Sequence, residues 1–294
     1  MLNALKLTSK IKIKENLKKH GIKIFCVTKN LNLPKIISSN YILLTKDDSF
    51  YKNSSFGLTG FIEKGENDYP KNCEVSLPSQ LSYLDEGDII RINFNNNTFR
   101  SLYRRNSNHN SFLVTERCNS KCLMCSQPPI NTDDSYIADE ILEAIPLINK
   151  DAERLGLTGG EPTLLGEKFI KILSSLKNNL PETSLHVLTN GRNFKNYNFC
   201  KEISKVSNER LMFCIPLYSD VSNIHNYVVQ AENAWNETIK GIQNIKRLGI
   251  KVEIRIVIHK QTYSRLPQLS DFIAKNLGFV DHVALMGLEM MGYT

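Results

Sequence analysis

Thr115-Glu116-Arg117-Cys118-Asn119-Ser120-Lys121-Cys122-Leu123-Met124-Cys125-Ser126 is the stretch on which the reading of this chain turns. Three thiolates at CxxxCxxC spacing in one short loop can hold three irons of a cubane cluster and leave the fourth iron without a protein ligand. An open iron is a place for chemistry, as the open position of a catalytic zinc is. A non-catalytic metal module fits less well. A structural zinc asks for four ligands, and neither His109 upstream nor His186 downstream stands at a zinc spacing. Electron-transfer clusters ordinarily take four cysteines, and no fourth lies near these three.

Around this loop the chain reads as strand, loop and helix in repetition. Strands are expected at Phe112–Glu116, Arg154–Thr158, Leu185–Thr189, Leu211–Leu217, Val252–Ile258 and Val283–Gly287, with helices between them at Ala138–Ile148, Glu167–Lys177 and Ala234–Leu248. In the last helix Trp235, Ile239, Ile242, Ile245 and Leu248 recur at helical spacing and read as a core stripe. Repeated βα units imply a parallel sheet with helices outside, hence a partial (β/α)6 TIM-like barrel, whose site lies at the C-terminal strand ends. The unusual residues fall there. The cysteine loop follows the first strand, Gly159-Gly160-Glu161-Pro162 the second, Asn190-Gly191-Arg192 the third and Tyr218-Ser219-Asp220 the fourth. Period-two alternation on the fifth strand turns Glu253 and Arg255 inward. Buried charge needs a partner, so they read either as a structural ion pair or as Arg255 meeting an anionic group.

The first hundred residues differ. Short β-like runs at Ile22–Thr28, Tyr41–Thr45, Phe56–Ile62, Cys73–Leu77, Asp88–Phe94 and Thr98–Tyr103 are separated by turn signals such as Asp85-Glu86-Gly87 and Asn95-Asn96-Asn97. The expected organisation is a small N-terminal β-rich domain over residues 1–105, a polar linker at 106–110 and a core at 111–294. Open strand edges in the first domain would suit an extended peptide.

With 294 residues, 41% hydrophobic and 23% charged, the composition is that of a globular protein. The net charge of +7 is spread along the chain, its densest run being Lys6 to Lys23, which reads as a solvated helix or tail. A nucleic-acid partner is therefore not expected. Seven cysteines without a pairing pattern, and no signal peptide or apolar span, suggest a cytoplasmic protein with no membrane partner. Cys26, Cys73, Cys200 and Cys214 read as small buried residues.

The cysteine loop, Gly159-Gly160-Glu161-Pro162 and the βα repeat together resemble the radical S-adenosylmethionine (radical SAM) enzymes over residues 111–294. The resemblance implies a 4Fe–4S cluster on Cys118, Cys122 and Cys125. It also implies SAM chelating the open iron and reductive cleavage of SAM to a 5′-deoxyadenosyl radical that attacks a substrate. In this reading Gly159, Gly160, Glu161 and Pro162 border the SAM amine, with Glu161 supplying negative charge. Asn190 and Ser219 hydrogen-bond ribose hydroxyls or the methionyl carboxylate, and Arg255 meets an anionic group. Met124 stands where the family usually has an aromatic residue. No catalytic acid or base is identified: His225, His259 and Tyr218 are candidates near the substrate, each with an ordinary packing role as the alternative.

A narrower likeness rests on Thr115–Asn119, Cys122–Pro129, Ile215–Asp220, Val257–Gln261 and Asp281–Met290, which look like the radical SAM maturase of the His-Xaa-Ser system. It implies a peptide or protein substrate with His-Xaa-Ser repeats, a second radical SAM protein and a flavodoxin- or ferredoxin-like electron donor. It also leads one to expect a closing helix and tail beyond Thr294, so that the core reads as truncated after its sixth strand. RNA modification and activation of a glycyl-radical enzyme are the other tasks open to such a core.

Overall fold

The computed structural model describes residues 7–30, 32–45, 58–62 and 74–293. It divides into two compact units. One comprises residues 1–110 with 143–149, the other residues 111–142 with 150–294. Cys73 and the expected strand starts at Phe56 and Cys73 lie outside the described residues.

The first unit is one mixed sheet. Its elements are β1 (Thr8–Lys10), β2 (Lys12–Ile13), β3 (Ile22–Thr28), a short helix α1 (Lys35–Ser38), β4 (Tyr41–Thr45), β5 (Leu58–Ile62), β6 (Val75–Leu77), β7 (Ile89–Asn93) and β8 (Thr98–Tyr103). The order is β1-β8-β7-β3-β4-β5-β6-β2. Only Ile11 separates β1 from β2, so one continuous segment pairs with β8 at one end of the sheet and β6 at the other. The interior collects Phe25, Val27, Ile42, Leu58, Leu77, Ile90, Ile92, Phe94 and Phe99. Two expectations change here. The basic run is not simply a solvated helix or tail: it forms β1, β2 and a 3-10 helix at Glu15–His20, and Ile11, Ile13 and Leu17 are buried in the core while Lys12 faces out. Both terminal strands of the sheet already carry this segment, which blunts the edges expected to take a peptide.

The second unit is α/β. Its elements are β9 (Asn110–Leu113), α2 (Ser135–Ala144), β10 (Arg154–Thr158), α3 (Glu167–Asn179), β11 (Ser184–Leu188), α4 (Tyr197–Val206), β12 (Leu211–Pro216), α5 (Ser222–Val229), α6 (Ala234–Arg247), β13 (Lys251–Ile258), α7 (Leu266–Asn276) and β14 (His282–Gly287). The strands run in chain order, β14-β13-β12-β11-β10-β9, and β10 to β14 pair in parallel. β9 and β14 stand at opposite ends, so the barrel is partial, as expected. α3 shows why the helices form where they do. Phe169, Ile172, Leu173 and Leu176 recur at helical spacing and are buried, while Glu167 and Lys177 complement the helix dipole at its two ends.

Two boundaries move for identifiable reasons. The first strand ends at Leu113: the Val114 amide still donates to Thr158 O at 2.9 Å, and the buried Asp134 carboxylate then takes the Thr115 hydroxyl at 2.9 Å and the Glu116 amide. α2 stops at Ala144, and a 3-10 turn covers Ile145–Leu147, because Pro146 has no N–H to continue an α-helix. The α6 stripe is rotated. Ala234, Thr238, Gly241, Ile242, Asn244 and Ile245 are buried, while Trp235, Ile239 and Leu248 are only half-buried. A Cβ at Gly241 would lie 2.2 Å from the Gly191 carbonyl oxygen, so glycine lets this helix close on the turn after β11.

Phe213 joins β12 to the helical layer. It is fully buried, 4.7 Å from the Phe194 ring and 6.5 Å from Phe169. Phe213→Ala is expected to lower stability by about 3–5 kcal/mol, read as a lower urea midpoint for loss of helical circular dichroism.

Candidate functional site

The cysteine loop is held from three sides. At its base, Arg117 Nε donates to Asp134 Oδ1 at 3.1 Å, and the Thr115 hydroxyl accepts the Arg117 amide at 3.2 Å. In its middle, the amides of Lys121 and Leu123 donate to the carbonyls of Val229 and Val228 at the end of α5, at 3.0 and 2.9 Å. At its far end, the Tyr293 amide donates to the Cys125 carbonyl at 3.0 Å. Met124 packs against Tyr218, Val228, Val229 and Ala234 together with Cys122. A flexible apolar side chain thus fills that place.

Gly159 and Gly160 allow the next turn to press against this loop. The Gly160 amide donates to Thr115 O at 2.8 Å and the Glu161 amide to Arg117 O at 2.7 Å. A Cβ on Gly160 would sit 2.2 Å from Arg117 O. Glu161 then turns away from the opening. Its Oε1 accepts from Thr163 N (3.0 Å), Thr163 Oγ1 (2.6 Å) and Thr189 Oγ1 (2.7 Å), and its Oε2 accepts from Asn190 N (2.6 Å). The side chain is fully buried, and burial pushes its carboxyl up against the pull of those four donors. The expectation that Glu161 offers charge to an ammonium group is therefore corrected, since its acceptors are occupied by the ends of β10 and β11. Pro162 opens the 3-10 turn Pro162–Leu165 and is buried there.

The end of β11 meets the loop from the other side. Asn190 Nδ2 donates to Asn119 Oδ1 at 2.6 Å and lies 4.0 Å from Cys118 Sγ. Arg192 Nη1 donates to the Asn119 carbonyl and, at 3.2 Å, to Ser120 Oγ, while its Nε donates to Glu237 of α6 at 2.6 Å. Ser219 is fully buried. It takes the Val221 amide on its hydroxyl (3.1 Å) and the Trp235 indole on its carbonyl (3.0 Å). It serves the entry to α5 and does not line the cavity described next.

A cavity of about 260 Å³ opens at the C-terminal strand ends, lined by Cys118, Cys122, Cys125, Gly159, Gly160 and Asn190, with Cys214 and Arg255 on the strands beneath. Of the expected site residues it brings together the three cysteines, Gly159, Gly160, Asn190 and Arg255. It leaves out Glu161, Pro162 and Ser219. Arg255 forms the ion pair with Glu253, donating from Nε to Glu253 Oε1 at 2.5 Å, and it also lines the cavity. Glu253 also pairs with His282 Nδ1 at 2.6 Å. Tyr218 lies between His225 and His259, with ring centroids at 5.7 and 5.9 Å. His225 accepts the Tyr218 amide on Nδ1 at 3.3 Å, and burial pushes it down to about 4, so it is neutral packing. His259 is buried with Nδ1 on Gln261 Oε1 at 2.7 Å and does not line the cavity.

The sequence profile of the Radical SAM superfamily matches residues 112–273. The chain belongs to the radical SAM superfamily. That superfamily works with a 4Fe–4S cluster and SAM. Among curated proteins the chain is similar to GTP 3′,8-cyclase of Mannheimia succiniciproducens, 24% identical over 174 residues, covering 57% of this chain and 50% of that protein. It is likewise similar to GTP 3′,8-cyclase of Nautilia profundicola, 28% identical over 152 residues, covering 49% and 45%. The chain thus spans about half the length of the curated relatives it matches. In fold it is similar to Streptococcus suis SuiB, a structure bound to S-adenosylmethionine, with TM-score 0.52, 20% identity and coverage of 63% of this chain and 41% of that one.

The donor set fits a cluster better than a single ion. The thiols of Cys118, Cys122 and Cys125 line one cavity. Ligands on one zinc sit about 2.3 Å from it and so crowd together, whereas a cubane spreads its thiolates over separate irons. Burial pushes the Cys118 thiol up to about 11 and the Cys122 thiol up to about 12, so iron must displace their protons on binding.

Asp134, Arg192 and Glu237 were not singled out from sequence. Arg192 lay inside a quoted turn, but nothing in a turn tripeptide reveals that its side chain reaches back to Asn119. Glu161→Gln is expected to set an amide N–H against one of four donors and to cost about 1–3 kcal/mol, read as a lower melting temperature of the metal-free protein.

Proposed function

We propose that this chain is a radical SAM enzyme that holds a 4Fe–4S cluster on Cys118, Cys122 and Cys125, cleaves SAM reductively and modifies a peptide or protein. The observation that carries the reading is the meeting of three thiols outside any disulfide with Gly159 and Gly160 in one cavity at the C-terminal end of a parallel sheet. The cluster and SAM supply the electron transfer and the radical; the protein supplies placement. Gly159 and Gly160 let the turn after β10 close on the base of the cysteine loop, and both line the cavity beside the cysteines. Asn190 fixes the loop at Asn119 and offers its carboxamide edge to the cavity. Arg255 presents a cation to an anionic group of SAM or substrate, its charge balanced from the other side by Glu253. The apolar rim of Leu188, Pro216, Val257 and Met286 excludes water from the space between them.

The peptide or protein substrate, with His-Xaa-Ser repeats and a second radical SAM protein as partner, rests on the five separate stretches of sequence likeness between Thr115 and Met290. A flavodoxin- or ferredoxin-like donor suits the need for one electron per cleavage. The free thiols suit a reducing, cytoplasmic setting, and among the described residues no helix is long and apolar enough to cross a membrane. The named relatives give a second reading, a nucleoside triphosphate substrate, with Arg255 as the cation for its phosphates.

The test is anaerobic reconstitution with iron and sulfide, reduction, addition of SAM and mass spectrometry for 5′-deoxyadenosine. The native chain is expected to yield it, and Cys118→Ala, Cys122→Ala and Cys125→Ala to lose it by at least about a hundredfold. Equal yield from the three variants, or a fully loaded native cluster that leaves SAM intact, would overturn the reading. Parallel arms with a His-Xaa-Ser repeat peptide and with GTP separate the two substrate classes by which one changes mass.

A further inference from the structure

Arg192 is a cation fixed onto the cysteine loop between two of its thiols. Its side chain is 13% exposed and is held at both ends. Nε is paired with Glu237 at 2.6 Å, and Nη1 donates to the Asn119 carbonyl and to Ser120 Oγ. Glu237 is itself anchored, since Lys195 bonds its second oxygen and the helix that carries it is locked to the same turn. Thr238 Oγ1 donates to Asn190 O at 3.1 Å, and Asn244 Nδ2 donates to the carbonyls of Phe194 and Lys195 at 2.9 and 3.1 Å. The guanidinium therefore has little freedom, and it bonds Asn119, which follows Cys118, and Ser120, two residues before Cys122. Glu237 lies behind it, on the α6 side, so the positive member of the pair is the one turned toward the thiols.

We infer that Arg192 is a positioning residue that fixes the Cys118–Cys122 segment and raises the reduction potential of the cluster held there. This rests on the assignment of the cluster to the three cysteines. One-electron reduction adds negative charge to a group already ligated by three thiolates. A fixed positive charge in a partly buried setting makes that addition less costly. Hydrogen bonding acts in the same direction. By occupying the Asn119 carbonyl, Arg192 keeps Asn119 where the Ser120 amide reaches Cys118 Sγ at 3.4 Å. The pairing with Glu237 sets how much of the charge is felt. An arginine serves here because its fork reaches a carboxylate, a carbonyl and a hydroxyl at once, which an ammonium group cannot do with the same geometry.

The experiment is a redox titration followed by electron paramagnetic resonance on the reconstituted native protein and on Arg192→Gln, Arg192→Lys and Glu237→Gln. Iron and sulfide content are measured on each sample. Arg192→Gln is expected to make the cluster on the order of tenfold harder to reduce, a downward shift of about 59 mV for one electron. Arg192→Lys is expected to recover more than half of that shift. Glu237→Gln removes the opposing charge and is expected to move the potential upward. Opposite signs from the two members of one ion pair are what a purely structural anchor would not give. Native-like potentials in Arg192→Gln and Glu237→Gln at full iron content would overturn the inference. If Arg192→Gln loads no cluster, Glu237→Gln and Arg192→Lys decide it, and a downward or unchanged potential in Glu237→Gln counts against it. A native chain that takes up no cluster would instead remove the cysteine assignment, and this inference with it.

Discussion

The site depends on one buried carboxylate. Glu161 accepts four hydrogen bonds, two from Thr163 and two from the paired strand end at Thr189 and Asn190. Its own amide and that of Gly160 grip the base of the cysteine loop at Arg117 and Thr115. A single residue thus ties together the loop after β9, the turn after β10 and the end of β11. A buried anion is costly unless every lone pair is used, and here the donors come from the pieces that must be aligned. Asp134 repeats the device at the start of the loop, where it takes the Thr115 hydroxyl, the Glu116 amide and the Arg117 guanidinium. Between them these two carboxylates convert a flexible run of Asn, Ser and Lys into a fixed presentation of three thiols.

Much of this was legible from residues, because strand ends in a parallel βα fold converge by construction. Arg154–Thr158 was located to the residue, and Leu211–Leu217, Val252–Ile258 and Val283–Gly287 to within one residue at either end. Their short apolar runs between turn signals leave few alternatives, most plainly the β-branched run at Val252–Ile258. The cysteines, both glycines, Asn190 and Arg255 fell in one cavity as their strand-end positions implied. The failures have a common cause. Glu161 and Ser219 were given to a ligand because polar residues at such ends usually face one, but hydrogen bonds to backbone amides two residues or a whole βα unit away cannot be seen in a local pattern. The polar face of α6, with Thr238, Gly241 and Asn244 buried, was invisible to a count of apolar residues. That part of the helix packs on the carbonyls of the turn after β11, while Ala234, Ile242 and Ile245 supply its apolar contacts. The N-terminal basic run misled for the opposite reason. Its lysines dominate the composition, while the alternating Ile11, Ile13 and Leu17 do the folding.

Division of labour within the second unit follows from these contacts. The loop end of the barrel carries charge that is neutralised in pairs, Arg192 with Glu237, Arg117 with Asp134 and Arg255 with Glu253. Each pair has its carboxylate more deeply buried than its guanidinium or equally so, which leaves cationic edges toward the loop and cavity. Such a lining suits a group of thiolates and anionic ligands better than a neutral one.

The most direct measurement is Mössbauer spectroscopy of the protein reconstituted with iron-57, before and after SAM. Three cysteine-ligated irons and one open iron predict a 4Fe–4S spectrum in which one iron of the four changes its isomer shift when SAM is added and the other three do not. Four irons that respond alike or not at all, or iron found only as isolated ions, would contradict the account.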